Sequence, residues 1–527
     1  MIKTNQLSNS PKNLPLLLGS LFLIFYWIFG FDGITFSDDV YYMLAGRDFW
    51  NGTMEVNSYH FSSRWGAYIP AGLAGLLIGF DAHTFSLISL LAYLGAYLLL
   101  YSLLSTNQEK ILFSLWFLTQ VYLLHFLTKV YPDGLLVFCV ALAIFGASIR
   151  KTNSVTGGKL LMIAFTLGFI TKETIIFLFP LPLILYWIDH KSNTVRKGFY
   201  LTFLIFSVLA AFLYLGYFWA KFGDPFYRVT SINAGHYISE YTYADKGFWS
   251  IMERLTILPF QTFVERAYWP WIVFAIPAVY QGLKHKKPIY FESSIAFLCL
   301  MIGFWFMSST LAFYNPIYLN PRHLIILVPI LAFLIAIGWD AWQGSVKWRR
   351  FILIALGFGV ILAALQFDLK QAAFISCFFP LLLIKKRKIQ WLLLSFLLLT
   401  PAIYSIYYQN QLKQYPSLID ELTNITQSSE KEDIIITNNF IHFSKEVLIP
   451  ENLEAQEKLY SLEEVESLSQ DPPEELQVLI YHYYQHAYPK EQEDVDALES
   501  WLKAMNYQLL EEEEKGKLWI RKFKRKN

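Results

Sequence analysis

Of the chain's 527 residues, 55% are hydrophobic, 18% aromatic and only 16% charged, with a mean hydropathy of +0.37. This composition excludes an ordinary soluble globular protein and makes lipid the solvent of most of the chain. The 43 Lys and Arg against 42 Asp and Glu leave a net charge of +1, a balance that argues neither for nucleic acid nor for an acidic partner.

Lys3 and Lys12 precede the first apolar run, 14–31, and no small-residue cleavage site follows it, so this segment reads as a retained anchor. The next stretch, FDGITFSDDVYYMLAGRDFWNG, carries the adjacent acids Asp38 and Asp39. An amphipathic helix is expected to begin near Val40, with Met43, Leu44, Arg47 and Phe49 around it, suited to the outer leaflet. Two carboxylates where a span meets the interface serve either a general base toward a hydroxyl or amine acceptor, or a cation. Equally, Ser37 or Asp38 serves as the N-cap of that helix, where acids are favoured by the helix dipole. Asn51, Gly52 and Thr53 form a glycosylation acceptor pattern. The stretch 66–81, GAYIPAGLAGLLIGFD, is apolar but short and glycine-rich, which suits an interfacial or re-entrant helix better than a span.

Further apolar runs fall at 82–104, 111–128, 133–149, 158–171, 173–188, 198–219, 267–283, 289–312, 323–339, 351–366, 371–384 and 389–407, near the ~20 residues that cross a bilayer. Cys139, Cys299 and Cys377 lie inside such runs and read as small buried hydrophobes. Basic residues gather on alternate loops: Lys110; Arg150 and Lys151; Lys191, Arg196 and Lys197; Lys284, Lys286 and Lys287; Lys347, Arg349 and Arg350; and 385–388. By the positive-inside rule those loops are cytoplasmic. With the N-terminus inside, the parity gives about thirteen spans and sets the loops 32–81, 221–266 and 313–322 and everything after 408 outside.

Three more elements on the outer side bear polar groups. Asp133 follows Tyr131 and Pro132 at the end of a span beside Lys129, where proline and an acid also commonly start a helix. In TKET, Lys172 and Glu173 separate two apolar runs; the lysine suits a phosphate, or else pairs with its own neighbour or snorkels to the interface. In NPRHLIILVP, Arg322 and His323 open a span, and arginine offers a planar fork to phosphate oxygens. The loop 221–266 mixes Lys221, Arg228, His236, Glu240, Asp245, Arg254 and Glu265 with Tyr227, Tyr237, Tyr241, Tyr243 and Trp249. That blend suits a sugar or a lipid headgroup, as it does a plain interfacial belt.

Past Tyr408 the composition turns acidic and polar, with candidate strands at 433–437, 477–481 and 517–523 and a helix bearing Leu498, Trp501, Leu502 and Met505. This predicts a small extramembrane α/β domain over 409–527 without a glycine-rich phosphate loop, acting as scaffold or lid. His482 and His486 are spaced as a helical metal pair, but they end a strand and lack a third ligand.

Taken in order, SDDVYYMLAGRDFWNG, YPD at 131–133, TKET at 171–174 and PRHLIILVP at 321–329 give a chain that resembles the GT-C glycosyltransferases over roughly 14–410. The resemblance is to the branch of protein O-mannosyltransferases and lipid A aminoarabinose transferases, which use polyprenyl-phosphate-linked sugars. It implies a mainly α polytopic bundle over 1–408, a catalytic carboxylate at Asp38 and a companion acid at Asp39, where the family's usual pair is Asp-Glu. It implies further that Lys172 and Arg322 meet the lipid phosphate, with His323 standing where the family has tyrosine. The implied reaction is an inverting transfer from a polyprenyl-phosphate sugar to a protein, lipid or glycan acceptor on the external face. No cofactor is designated, although a divalent cation is compatible with the acids. The expected setting is a bacterial inner membrane, with the N-terminus cytoplasmic and both the site and the C-terminus facing the periplasm. Two other classes are a transporter or flippase of lipid-linked sugars, which would need polar groups at mid-membrane depth, and a non-catalytic binding protein whose acidic pair is only a cap.

Overall fold

Local chemistry writes the ends of the helices. Thr106 and Glu109 cap each other's backbone at the start of Asn107–Leu118, Pro132 occupies the first turn of Pro132–Ser148, and Gly52 closes Asp38–Asn51 in a left-handed conformation. The computed structural model describes residues 13–233, 242–428, 434–450 and 452–526. His236, Tyr237, Glu240 and Tyr241 of the aromatic loop and Asp433 of the first candidate strand lie outside them.

Each of the thirteen apolar runs is built on helix. Among the described residues, eight helices are long and apolar enough to cross a membrane, or up to ten if each of two bent pairs is one span. The bent pairs are Asn107–Leu118 with Val121–Leu127, at 68°, and Trp269–His285 with Tyr290–Phe306, at 116°. Leu14–Phe29 and Leu369–Leu383 are shorter apolar helices. The Pro321–Gln343 segment forms the centre, 89% buried, and packs on Trp269–His285, Asn107–Leu118 and Pro132–Ser148. At the other extreme, only 6% of the Lys197–Phe222 window is buried, and Leu204, Ile205, Val208, Phe212 and Leu213 point outward. Such a surface would aggregate in water and suits lipid contact. Cys377 is also exposed rather than buried, since an apolar solvent lets a small hydrophobe face outward.

The 66–81 stretch forms the helix Trp65–Ile78, about 21 Å long at 1.5 Å per residue and so too short to cross a bilayer. It lies against Asp38–Asn51 with backbone almost in contact: a Cβ on Gly72 would sit 2.2 Å from the Gly46 carbonyl oxygen. This is where the glycines of both segments are needed.

The last apolar helix, Arg387–Lys413, continues past 408, and Gln414 at φ 52° turns the chain into Tyr415–Ser428. A five-stranded sheet follows in the order β2-β1-β3-β5-β4, comprising β1 (Ile434–Thr437), β2 (Leu459–Ser461), β3 (Glu475–Tyr481), β4 (Tyr507–Lys515) and β5 (Leu518–Arg525). β1 pairs in parallel with β2 and β3, and β5 pairs antiparallel with β3 and β4. The Gln492–Ala504 helix buries Leu498, Trp501 and Leu502 as its spacing predicts, with Met505 just beyond its end. The sheet's core is continuous with the first loop: Ile34, Phe36, Val40, Tyr42 and Met43 join Leu418, Ile435, Val478 and Ile480 in one apolar cluster. The acidic pair is therefore fixed from two directions.

Candidate functional site

The two adjacent acids are put to different uses. Asp39 is buried; its Oδ2 accepts the Thr35 amide at 2.6 Å, and its Oδ1 accepts the Ser37 and Val40 amides, both at 3.1 Å. Three backbone donors on one carboxylate make it the organiser of the turn before Asp38–Asn51, the capping role weighed above for Ser37 or Asp38. Ser37 occupies the N-cap position but makes no side-chain cap. Asp38, the residue before Asp39, has a side chain 24% exposed, and its Oδ2 accepts from Arg322 Nη1 at 2.8 Å.

Arg322 reaches this acid because Asn320 and Pro321 start its helix in place: the Asn320 side chain accepts the Arg322 amide at 2.9 Å. Its guanidinium rests over the Tyr131 ring, 4.4 Å from the centroid. From there Nε stands 3.4 Å from Asp133 Oδ2. Asp133 comes from the first turn of Pro132–Ser148, is 1% exposed, and accepts from Lys172 Nζ through Oδ1 at 2.7 Å. Lys172 sits in an extended break between Ser154–Thr171 and Glu173–Leu178, outside both helices. Burial pushes its ammonium down to about 8; Asp133 pulls the other way, and Arg322 and Arg64 add to the depression. Asp38, Arg322, Asp133 and Lys172 thus form one chain of ion pairs drawn from four separate segments.

Glu173 takes no part in that chain and does not pair with its neighbour Lys172. Its Oε2 accepts from Arg64 Nη2 at 3.0 Å and its Oε1 from Arg228 Nη2 at 2.6 Å. Arg64 also donates to Tyr42 Oη at 2.9 Å, and Arg228 to the Phe169 carbonyl at 2.8 Å and Tyr214 Oη at 3.0 Å. His323 turns its Nδ1 to the Tyr318 carbonyl, 3.2 Å away, rather than to the acids. In the aromatic loop, Arg228 alone of the described charges enters this cluster: Arg254 is occupied by the Phe304 and Ile317 carbonyls and Glu265 by Arg266. Arg64 has no place in the sequence reading, yet a lone arginine before an apolar stretch on the side poor in basic residues is a signal that was available.

Across both clusters four cations face three carboxylates. These cations lie among largely buried groups, where an arriving anion would be held more strongly than in water. Among the described residues no three His, Cys, Asp or Glu side chains gather as metal ligands. His482 stacks on Trp519 at 5.8 Å.

No family model matches the chain, and no curated protein matches it by sequence. Among solved structures, the crystal structure of ArnT from Cupriavidus metallidurans bound to undecaprenyl phosphate has a TM-score of 0.61 at 10% identity, covering 96% of this chain and 97% of that one. The apo state of the same protein has a TM-score of 0.61 at 11% identity over the same shares. The architecture of this chain, from the first apolar helix to the C-terminal sheet, is therefore the fold seen in that ArnT.

Proposed function

We propose that the protein is an integral membrane glycosyltransferase. It would transfer a sugar, with inversion, from a polyprenyl-phosphate-linked donor to a protein, lipid or glycan acceptor on the external face of a bacterial inner membrane. The observation that carries this reading is the ion-pair chain Asp38, Arg322, Asp133 and Lys172. It unites one accessible carboxylate with two cations held by a buried acid. The GT-C fold, found also in an ArnT crystallised with undecaprenyl phosphate, supports the donor class.

In this mechanism the donor phosphate draws the Arg322 guanidinium from Asp38, which frees that carboxylate beside the reacting centre. The acceptor hydroxyl or amine attacks the anomeric carbon as the bond to the lipid phosphate breaks, and Asp38 takes the acceptor's proton. Lys172 and Arg322 stabilise the negative charge gathering on the departing phosphate. Asp133 is a positioning residue that aims both cations, Asp39 holds the turn that presents Asp38, and Glu173 fastens Arg64 and Arg228 alongside. His323, whose Nδ1 faces the Tyr318 carbonyl, stands beside Asp133, Lys172 and Arg322.

The reading as a transporter or flippase is weaker on a specific point. Among the described residues the buried ion pairs lie at helix ends: the site, with Lys129 and Lys413 on Asp32 beside the first loop, and Arg150 with Asp189 and Glu292 where the basic loops lie. The deciding experiment incubates the purified chain with a panel of undecaprenyl-phosphate-linked sugars and a panel of hydroxyl- and amine-bearing acceptors, and follows release of undecaprenyl phosphate. Asp38→Asn is expected to lower release by at least about 100-fold, the usual contribution of a general base, while undecaprenyl phosphate still binds. Unchanged release in a folded Asp38→Asn protein removes Asp38 from that role.

A further inference from the structure

Phe36, two residues before Asp38, adopts φ 57°, a region a bulky residue enters only when its surroundings hold it there. The surroundings are supplied by the C-terminal domain. The Phe36 ring is 2% exposed and sits among Phe440 at 5.0 Å, Tyr481 at 6.1 Å, Tyr415 at 6.2 Å and Tyr483 at 6.3 Å between centroids. From the same domain, the Tyr488 hydroxyl donates to the carbonyls of Thr35, at 2.8 Å, and Phe36, at 3.0 Å.

Thr35 is the junction. Its carbonyl takes Tyr488, its amide gives the 2.6 Å bond to Asp39, and its hydroxyl bonds to Tyr131, whose ring carries Arg322. One side chain of the C-terminal domain therefore touches the residue that orders both halves of the Asp38–Arg322 pair. Two further ties bind the same loop: Arg47 donates to Glu446 at 2.8 Å, and Lys413 donates to the Ile34 carbonyl at 2.7 Å.

We infer that the C-terminal domain sets the position of Asp38, through a latch in which its aromatic socket holds Phe36 and its Tyr488 hydroxyl holds the Thr35 and Phe36 carbonyls. Phe36 and Tyr488 are positioning residues that act through the turn and never meet the substrate. The inference rests on the proposed function only for what the turn is positioned to do; the latch itself is a property of the fold. It gives the domain a mechanical part in the reaction although none of its described residues joins the ion-pair chain.

The test uses the full chain in lipid nanodiscs, with hydrogen exchange read on peptides covering 33–41. Tyr488→Phe removes one hydroxyl and keeps the ring, so exchange there is expected to rise about fivefold, the factor of one net hydrogen bond. Phe36→Gly empties the socket while relieving the backbone, because glycine accepts φ 57° freely; exchange is expected to rise by more than about tenfold. Tyr507→Phe removes a tyrosine hydroxyl bonded to the Pro473 carbonyl in the same domain and is expected to leave 33–41 unchanged. Exchange within twofold of the parent in both latch variants overturns the inference, as does equal acceleration of β3 and β5, which would mean only that the domain has loosened.

The second arm measures undecaprenyl phosphate release from undecaprenyl-phosphate-linked sugars in the presence of the same hydroxyl- and amine-bearing acceptors. Tyr488→Phe is expected to lower kcat about fivefold with the donor KM within twofold, since the latch aligns the base without binding the donor. Faster exchange with unchanged kcat overturns the positioning role. If the parent protein releases no lipid phosphate at all, it is the proposed function that fails, and the exchange arm still decides the latch.

Discussion

Arg322 donates to Asp38 at 2.8 Å while its Nε stands 3.4 Å from Asp133, so one guanidinium spans an acid of the first loop and an acid of the Pro132–Ser148 helix. Only a planar fork reaches both, and its stacking on Tyr131 fixes the plane. Arg322→Lys keeps the charge but gives up the contact to one of the two acids. Undecaprenyl phosphate release is expected to fall at least about tenfold, since lysine does not replace arginine at a forked, stacked position. Release equal to the parent's would mean that net charge alone suffices.

A pH limb follows from Lys172, which burial holds down to about 8. Its ammonium is present below that pH and lost above it, so kcat/KM is expected to decline as pH rises through about 8. Bound donor adds a phosphate beside the ammonium and raises its pKa, so the limb in kcat lies at higher pH. Lys172→Arg stays charged throughout and is expected to abolish the limb, even if its absolute rate is lower. A limb unmoved in Lys172→Arg assigns the titration to another group.

Which parts were legible in the sequence has a physical basis. Apolar runs and the alternation of basic loops are composition-scale signals, and each run is built on helix. Pairing is another matter: Lys172 and Glu173 are neighbours in sequence, yet the extended break at Lys172 aims them at different partners, Asp133 and the Arg64–Arg228 pair. Likewise Asp38 and Asp39 look equivalent, and only the left-handed Phe36 turns one toward backbone amides and leaves the other for Arg322. β4 carries no strand signal, because Glu511–Glu514 breaks any period-two pattern; as an edge strand exposed along its length it buries no face that would demand one. β2 is three residues long, too short to show an alternating pattern.

Glu173 accepts from two arginines that are themselves nearly fully buried. Glu173→Gln keeps the shape but leaves Arg64 and Arg228 facing each other without a counter-charge. Breaking a buried pair this way costs about 3 kcal/mol or more, and the thermal midpoint of the purified protein is expected to drop by several degrees. Adding Arg64→Gln removes one of the uncompensated charges and is expected to recover part of the loss; a further drop of similar size would show that the two side chains do not interact.

Gly33 lies where the first loop passes the C-terminal domain, with φ 87° and its absent Cβ directed at the Tyr415 ring, 2.1 Å from the nearest atom. Gly33→Ala therefore meets two separate penalties. The backbone conformation disfavours any L side chain by about 1 kcal/mol, and the ring or the loop must move to admit the methyl group. These are separable, because Tyr415→Ala clears the space and leaves φ as it is. Introduced into that background, Gly33→Ala is expected to cost only the backbone part, whereas in the parent it costs about 2 kcal/mol or more. A double-mutant cycle on the unfolding midpoint reads the difference. Equal costs in the two backgrounds would mean that the loop bends away from Tyr415 without resistance, and that this contact does not hold the domain against the turn that carries Asp38.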